Sequence, residues 1–109
     1  MLKVPNINQT ILFSFKGQKA IGVVVRIRNG WGVNVCQPDN EHEKAIKSKF
    51  ISWWRDAPEF ARLSTIDKAI KIQESNAISA QGGDLPYDRA DYLRTAKILK
   101  TTRLNIEAQ

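Results

Sequence analysis

The clearest pattern in the chain runs through residues 20–37, where apolar and polar side chains alternate on both sides of Asn29-Gly30. A period of two marks strands with one buried face, and Asn-Gly tolerates positive φ, so the segment predicts a β-hairpin. Ile21, Val23, Val25 and Ile27 share a face of the first strand, and Trp31, Val33 and Val35 share a face of the second. A two-residue loop, Asn29-Gly30, would set Arg28 opposite Trp31 and mix apolar with polar side chains on both faces. A three-residue loop, Arg28-Asn29-Gly30, sets Ile27 opposite Trp31, Val25 opposite Val33 and Val23 opposite Val35. Burial of one face selects the second register, because a one-residue slip moves every side chain to the other face. Gly30 then takes the αL position of a type I turn with a G1 bulge. The other face carries Arg26, Arg28 and Asn34.

Upstream, residues 9–15 alternate as well, with Ile11, Phe13 and Phe15 on one side, and Lys16-Gly17-Gln18-Lys19 turns into the hairpin. The three segments predict an antiparallel meander over residues 9–37 with odd-numbered residues inward throughout. Beyond it the period changes. Ile46, Phe50, Trp53, Trp54 and Ala57 recur at helical spacing, and Asn40 with Glu43 fits a capping box. A helix over residues 40–57 is expected, in competition with a fourth strand over 46–54. A second helix over 65–78 buries Ile66, Ala69, Ile70 and Ala77 and follows Ser64 or Thr65 as N-cap. Ser79-Ala80-Gln81-Gly82-Gly83-Asp84 reads as loop. A third helix over 86–102, capped by Asp84 or Asp88, has a less clean apolar set of Leu85, Tyr92, Ala96 and Leu99. That helix either packs at its edge or seeks a partner, and residues 103–109 are expected to fray. The fold class is α+β: an N-terminal three-stranded antiparallel β-meander packed against about three α-helices, in one domain over 1–109.

The segment from Phe15-Lys16-Gly17 to Gly22-Val23-Val24-Val25 resembles the glycine-centred strand of KOW and SH3-like modules. The likeness covers about a dozen residues and no family's functional residues transfer with it.

Composition narrows the function without naming it. Seventeen Lys and Arg against eleven Asp and Glu give a net charge of +6, which attracts polyanions. No apolar run approaches the roughly 18 residues of a membrane span, and Met1-Leu2-Lys3-Val4-Pro5-Asn6 lacks the apolar core of a signal peptide. A single cysteine, Cys36, excludes an intrachain disulfide and suits the cytoplasm.

Catalytic chemistry finds little material. His42 stands in an acidic string with no second histidine to build a base or a metal site, so no cofactor and no metal are expected. Cys36 has no activating group beside it except a nearby helix start, and reads as a small semi-buried residue on the polar face. Gly17, Gly22, Gly30 and Gly32 punctuate strands and lack the Gly-Lys-Ser/Thr or three-glycine spacing of phosphate loops. Trp31 and Trp53 fall on apolar arcs and read as core, whereas Trp54 lies at a margin.

The expectation is therefore a small basic non-enzymatic nucleic-acid-binding protein, with DNA as its partner. Lys16, Lys19, Arg26, Arg28 and Asn34 form the contact face. A two-stranded ribbon can enter the major groove, where Arg reads guanine and Asn reads adenine. The alternative is a protein-interaction or inhibitor module using the third helix or the Ile51/Trp54 surface, with a homodimer through Tyr92, Ala96 and Leu99 as one form of it. No membrane partner is expected.

Overall fold

The computed structural model describes residues 3–36, 44–80, 85 and 87–109. The N-terminal meander forms as its alternation requires. Strands β1 (Thr10–Phe15), β2 (Gln18–Ile27) and β3 (Gly30–Val35) pair antiparallel in sequence order. The β1–β2 turn is Lys16-Gly17, whose φ values of 52° and 75° are both positive. Two successive positive φ angles make a hairpin connection that matches strand twist, and the glycine takes one of them without steric cost.

Two further strands complete an α+β fold. β4 (Ile46–Lys47) pairs with β3 and β5 (Ile51–Asp56) pairs with β1, giving the order β4-β3-β2-β1-β5. These two edge strands are joined only by a 3₁₀ turn, Ser48–Phe50. Laid flat, the sheet would hold its edges roughly 19 Å apart, four strand spacings of about 4.8 Å. The turn rises only about 2 Å per residue and spans about 8 Å from Lys47 to Ile51. The sheet must therefore roll. Its concave interior holds Ile11, Phe13, Ala20, Val24, Trp31, Val33, Val35, Ile46 and Ile51, with Phe15 and Trp54 at the margin.

The outer face of β1–β3 carries a second core. Leu12, Ile21, Val23 and Cys36 meet Ala57, Ile66, Ala69, Ile70 and Leu99 from three helices, α1 (Ala57–Phe60), α2 (Leu63–Ser79) and α3 (Arg89–Glu107). Pro58 sits in the first turn of α1, where its missing N–H costs nothing. Asp88 caps α3 in a reciprocal box, accepting from the Asp91 backbone N–H at 2.9 Å while its own N–H donates to the Asp91 carboxylate.

This second core overturns the hairpin register. Ile27 faces Gly30, Arg26 faces Trp31, Val24 faces Val33 and Val23 faces Asn34. The loop is Arg28-Asn29, and Gly30, at φ 138°, stands in the ladder as a strand residue. The even-numbered residues of β2 thus share a face with the odd-numbered residues of β1 and β3. One-face burial cannot choose a register here, because both faces of the hairpin are covered: Val24 by the sheet interior, Ile21 and Val23 by helices.

The helix expected over 40–57 is also corrected. Its described part is β4, the 3₁₀ turn, β5 and the start of α1. Ile46 and Ile51 enter the interior while Phe50 and Trp53 point outward. β-branched and aromatic residues favour strands, and a short apolar run fits either period. The Asn40–Glu43 capping box, His42 and most of the Gly82-Gly83 loop lie outside the described residues.

α2 begins two residues before its expected start and buries the expected face, together with Gln73 and Asn76. α3 does not fray at 103. Arg103 bonds Asp67 of α2 at 2.6 Å and also pairs with Glu107, and Ile106 packs on the outer core. Tyr92, Ala96 and Leu99 are covered within the chain, so they need no second copy.

Candidate nucleic-acid interface

Charge is segregated along the chain and therefore between the layers. Residues 3–36 and 44–55, which supply nearly all of the rolled sheet, contain nine Lys and Arg and no Asp or Glu. Residues 56–109 contain eight basic and eight acidic residues. The remaining acids, Asp39, Glu41 and Glu43, lie outside the described residues.

The helical layer uses its acids internally. Asp67 pairs with Arg103, Glu74 with Lys100 and Asp91 with Arg94. Asp56, the acid that ends β5, accepts from Gln9 Nε2 at 3.0 Å. Among the described residues no ion pair engages a cation of the sheet, so their fields add.

Four of those cations converge on one groove of about 700 Å³. Arg28 comes from the tip of the β2–β3 hairpin, Lys44 from the approach to β4, Lys47 from β4 and Lys49 from the 3₁₀ turn. The roll of the sheet brings them together, since it carries the β4–β5 link to the hairpin's end. Tyr87 closes one side. Its ring stands edge-on to the buried Tyr92, centroids 5.8 Å apart at 82°, which fixes it against the start of α3. Burial pushes the Tyr87 hydroxyl above its ordinary pKa, partly offset by a hydrogen bond from the Ala45 backbone. It remains a neutral donor at physiological pH.

Ala45 and Lys47 also line a smaller cleft of about 320 Å³, together with Phe15, Lys16, Ile46 and Phe50. The two hollows thus adjoin at Ala45 and Lys47. Phe50 is 57% exposed, with Lys49 Nζ 5.1 Å from its ring centroid, and Lys16 Nζ lies 5.1 Å from the Phe15 centroid. Cations interleaved with aromatic rings on a concave surface can neutralise phosphates and offer flat apolar faces at once.

The expected contact residues divide. Arg28 lines the groove and Lys16 lines the adjoining cleft. Lys19 lines a separate cavity of about 380 Å³ with Phe60 and Arg62. Arg26 is exposed opposite Trp31 and lines neither hollow. Asn34 is 4% exposed, on the helix-facing side of β3, where its Nδ2 donates to Thr95 Oγ1 at 3.3 Å. It cannot read a base edge. Lys44, Lys47, Lys49, Phe50 and Tyr87 are the residues that sequence reasoning missed. The acid-free run over 44–55 was the available signal for the lysines.

A second ring-and-cation group stands on β5, where the Arg55 guanidinium lies 5.5 Å from the Trp53 centroid and 5.2 Å from that of Phe60. Cys36 has no part in either surface. Burial pushes its thiol up to about 12, and its Sγ donates to the Asn34 carbonyl. Among the described residues no helix is long and apolar enough to cross a membrane, and no group of His, Cys, Asp and Glu is placed to hold a metal ion.

No family model matches the chain, and no curated protein and no solved structure matches it.

Proposed function

We propose that the protein is a non-enzymatic nucleic-acid-binding module whose contact surface is the basic groove of the rolled sheet. The observation that carries this reading is the convergence of Arg28, Lys44, Lys47 and Lys49 on one 700 Å³ groove, built from segments 3–36 and 44–55 that hold no acid. Phosphate neutralisation supplies the affinity. Base-edge readout plays little part, because Asn34 is committed to Thr95.

The protein-interaction alternative keeps only part of the surfaces first assigned to it, with Leu93 and Leu104 of α3 exposed. Ile51 is 5% exposed, and the apolar stripe of α3 is covered by the chain itself. Trp54 is half-buried, and its indole N–H donates to the Lys3 carbonyl.

Fluorescence anisotropy with a labelled mixed-sequence oligonucleotide tests the proposal. Binding at 50 mM salt should weaken by orders of magnitude by about 200 mM, as for a protein with several phosphate contacts. Absence of binding to any DNA or RNA probe at the lower salt would overturn it.

A further inference from the structure

We infer that the nucleic acid held by this surface is single-stranded, an inference that rests on the nucleic-acid reading above. Three observations point the same way. First, the β2–β3 hairpin is not a free ribbon. β1 covers the outer edge of β2 over Gln18–Val23 and β4 covers that of β3 at Gly32 and Val33, so only the tip of the hairpin projects free of the sheet, too short a ribbon to fill a major groove. At the base of the pair both faces are covered, by the sheet interior on one side and the helices on the other, and its exposed residues are confined to the tip from Arg26 to Gly30. Second, the cleft beside the groove has an apolar floor of Phe15, Ile46 and Phe50 between the cationic rims Lys16 and Lys47. A duplex presents phosphates and groove edges and keeps its base faces inside the stack, so it has nothing to place on that floor. An unpaired strand presents both phosphates and base faces. Third, the floor is accessible. Phe50 is 57% exposed and projects from a 3₁₀ turn that no helix covers, and its lysine neighbour stands over the ring as a ready phosphate partner.

In the bound state successive backbone phosphates lie against Lys47, Lys49 and Arg28, and a base enters the cleft to stack on Phe50. Such stacking tolerates any base, because every base has a π face. The affinity should therefore depend weakly on sequence and strongly on strandedness.

The test compares one labelled DNA strand of about 12 nucleotides, the matching RNA strand and the annealed DNA duplex, each against the wild type and the Phe50→Ala and Phe50→Tyr variants at low salt. A single strand should bind at least tenfold more tightly than the duplex. Phe50→Ala should weaken single-strand binding roughly 5- to 100-fold, the range for loss of one base-stacking ring, and Phe50→Tyr should restore it. Duplex binding should be unchanged by either variant. An unchanged melting temperature for Phe50→Ala shows that the fold is intact. Equal affinity for strand and duplex, or no effect of Phe50→Ala, overturns the inference while leaving nucleic-acid binding standing. Absence of binding to all three probes overturns the underlying reading itself.

Discussion

Asn34 Nδ2 donates to Thr95 Oγ1 at 3.3 Å, tying β3 to α3 beneath the sheet. The Thr95 hydroxyl spends its proton on the Asp91 carbonyl at 3.0 Å, so it can only accept from Asn34. Thr10 and Thr102 repeat the arrangement at 2.7 Å. Thr102 donates to the Ile98 carbonyl and accepts from Thr10. These two links fix the rotation of α3 against the sheet.

Asn34 thus holds the fold together and is buried away from the proposed interface. Asn34→Ala should lower stability by about 1–3 kcal/mol, the cost of losing a buried hydrogen-bonding group and its packing. Chemical denaturation measures that loss. Affinity of the folded variant for nucleic acid should stay at the wild-type value, and a selective loss of binding at unchanged stability would place Asn34 back in the contact surface.

The closeness of β2 and β3 makes Gly22 irreplaceable. A Cβ there would stand 2.4 Å from Val33 Cγ1 and 2.5 Å from the Asn34 carbonyl oxygen. The second neighbour is backbone and cannot turn away. Gly22→Ala should cost at least the 1–3 kcal/mol typical of overpacking. Gly17, at φ 75° in the β1–β2 turn, has open space around the same added carbon, and Gly17→Ala should cost only about 1–2 kcal/mol of backbone strain. Thermal melts of the two variants give the order directly, and Gly17→Ala as the more damaging change would contradict it.

Cys36 ties stability to alkaline pH. Burial raises its pKa from 9.0 to about 12, so above pH 9 the unfolded chain releases a proton that the folded protein keeps. The unfolded state then binds fewer protons, and stability falls as pH rises from about 9 toward 12. Between pH 9 and 10.5 the wild type should lose about 2 kcal/mol more than Cys36→Ala, at 1.36 kcal/mol per unit. Urea titrations at the two pH values measure the difference. The folded protein should also react slowly with a thiol reagent at pH 8, and quickly once unfolded.

The elements read from the chain succeeded where a local signal had no rival. Alternation placed β1, β2 and β3, and of the two caps expected for the third helix Asp88 is the one used, so that α3 begins at Arg89 and not at 86. The hairpin register failed because Ile21 and Val23 pack on helices while Val24 packs inside the roll, so alternation could not say which face was wet. Residues 46–56 failed for a different reason. Ile46, Phe50, Trp53 and Trp54 fit a helical arc, and only the need to supply both edges of the sheet puts Ile46, Trp53 and Trp54 in strands, with Phe50 in the turn between them.

The site inherited both errors. Arg28 and Lys16 were legible because turns expose their side chains. Asn34 was misplaced with the register. Lys44 and Lys47 were assigned to the outer side of the expected helix, away from the expected contact face, and the link through β4 and the 3₁₀ turn is what sets Lys44, Lys47 and Lys49 beside Arg28.

The most direct test of the interface sets the salt dependence of two double variants against the wild type. Lys47→Ala with Lys49→Ala removes charge from the groove, and Lys68→Ala with Lys71→Ala removes the same charge from the exposed side of α2. Each single-strand phosphate contact contributes about 0.7 to the slope of log affinity against log salt. The groove variant should therefore lose about 1.4 from that slope, and the α2 variant should keep the wild-type value. Equal losses from both variants, or an unchanged slope for the groove variant, would contradict a localised interface on the rolled sheet.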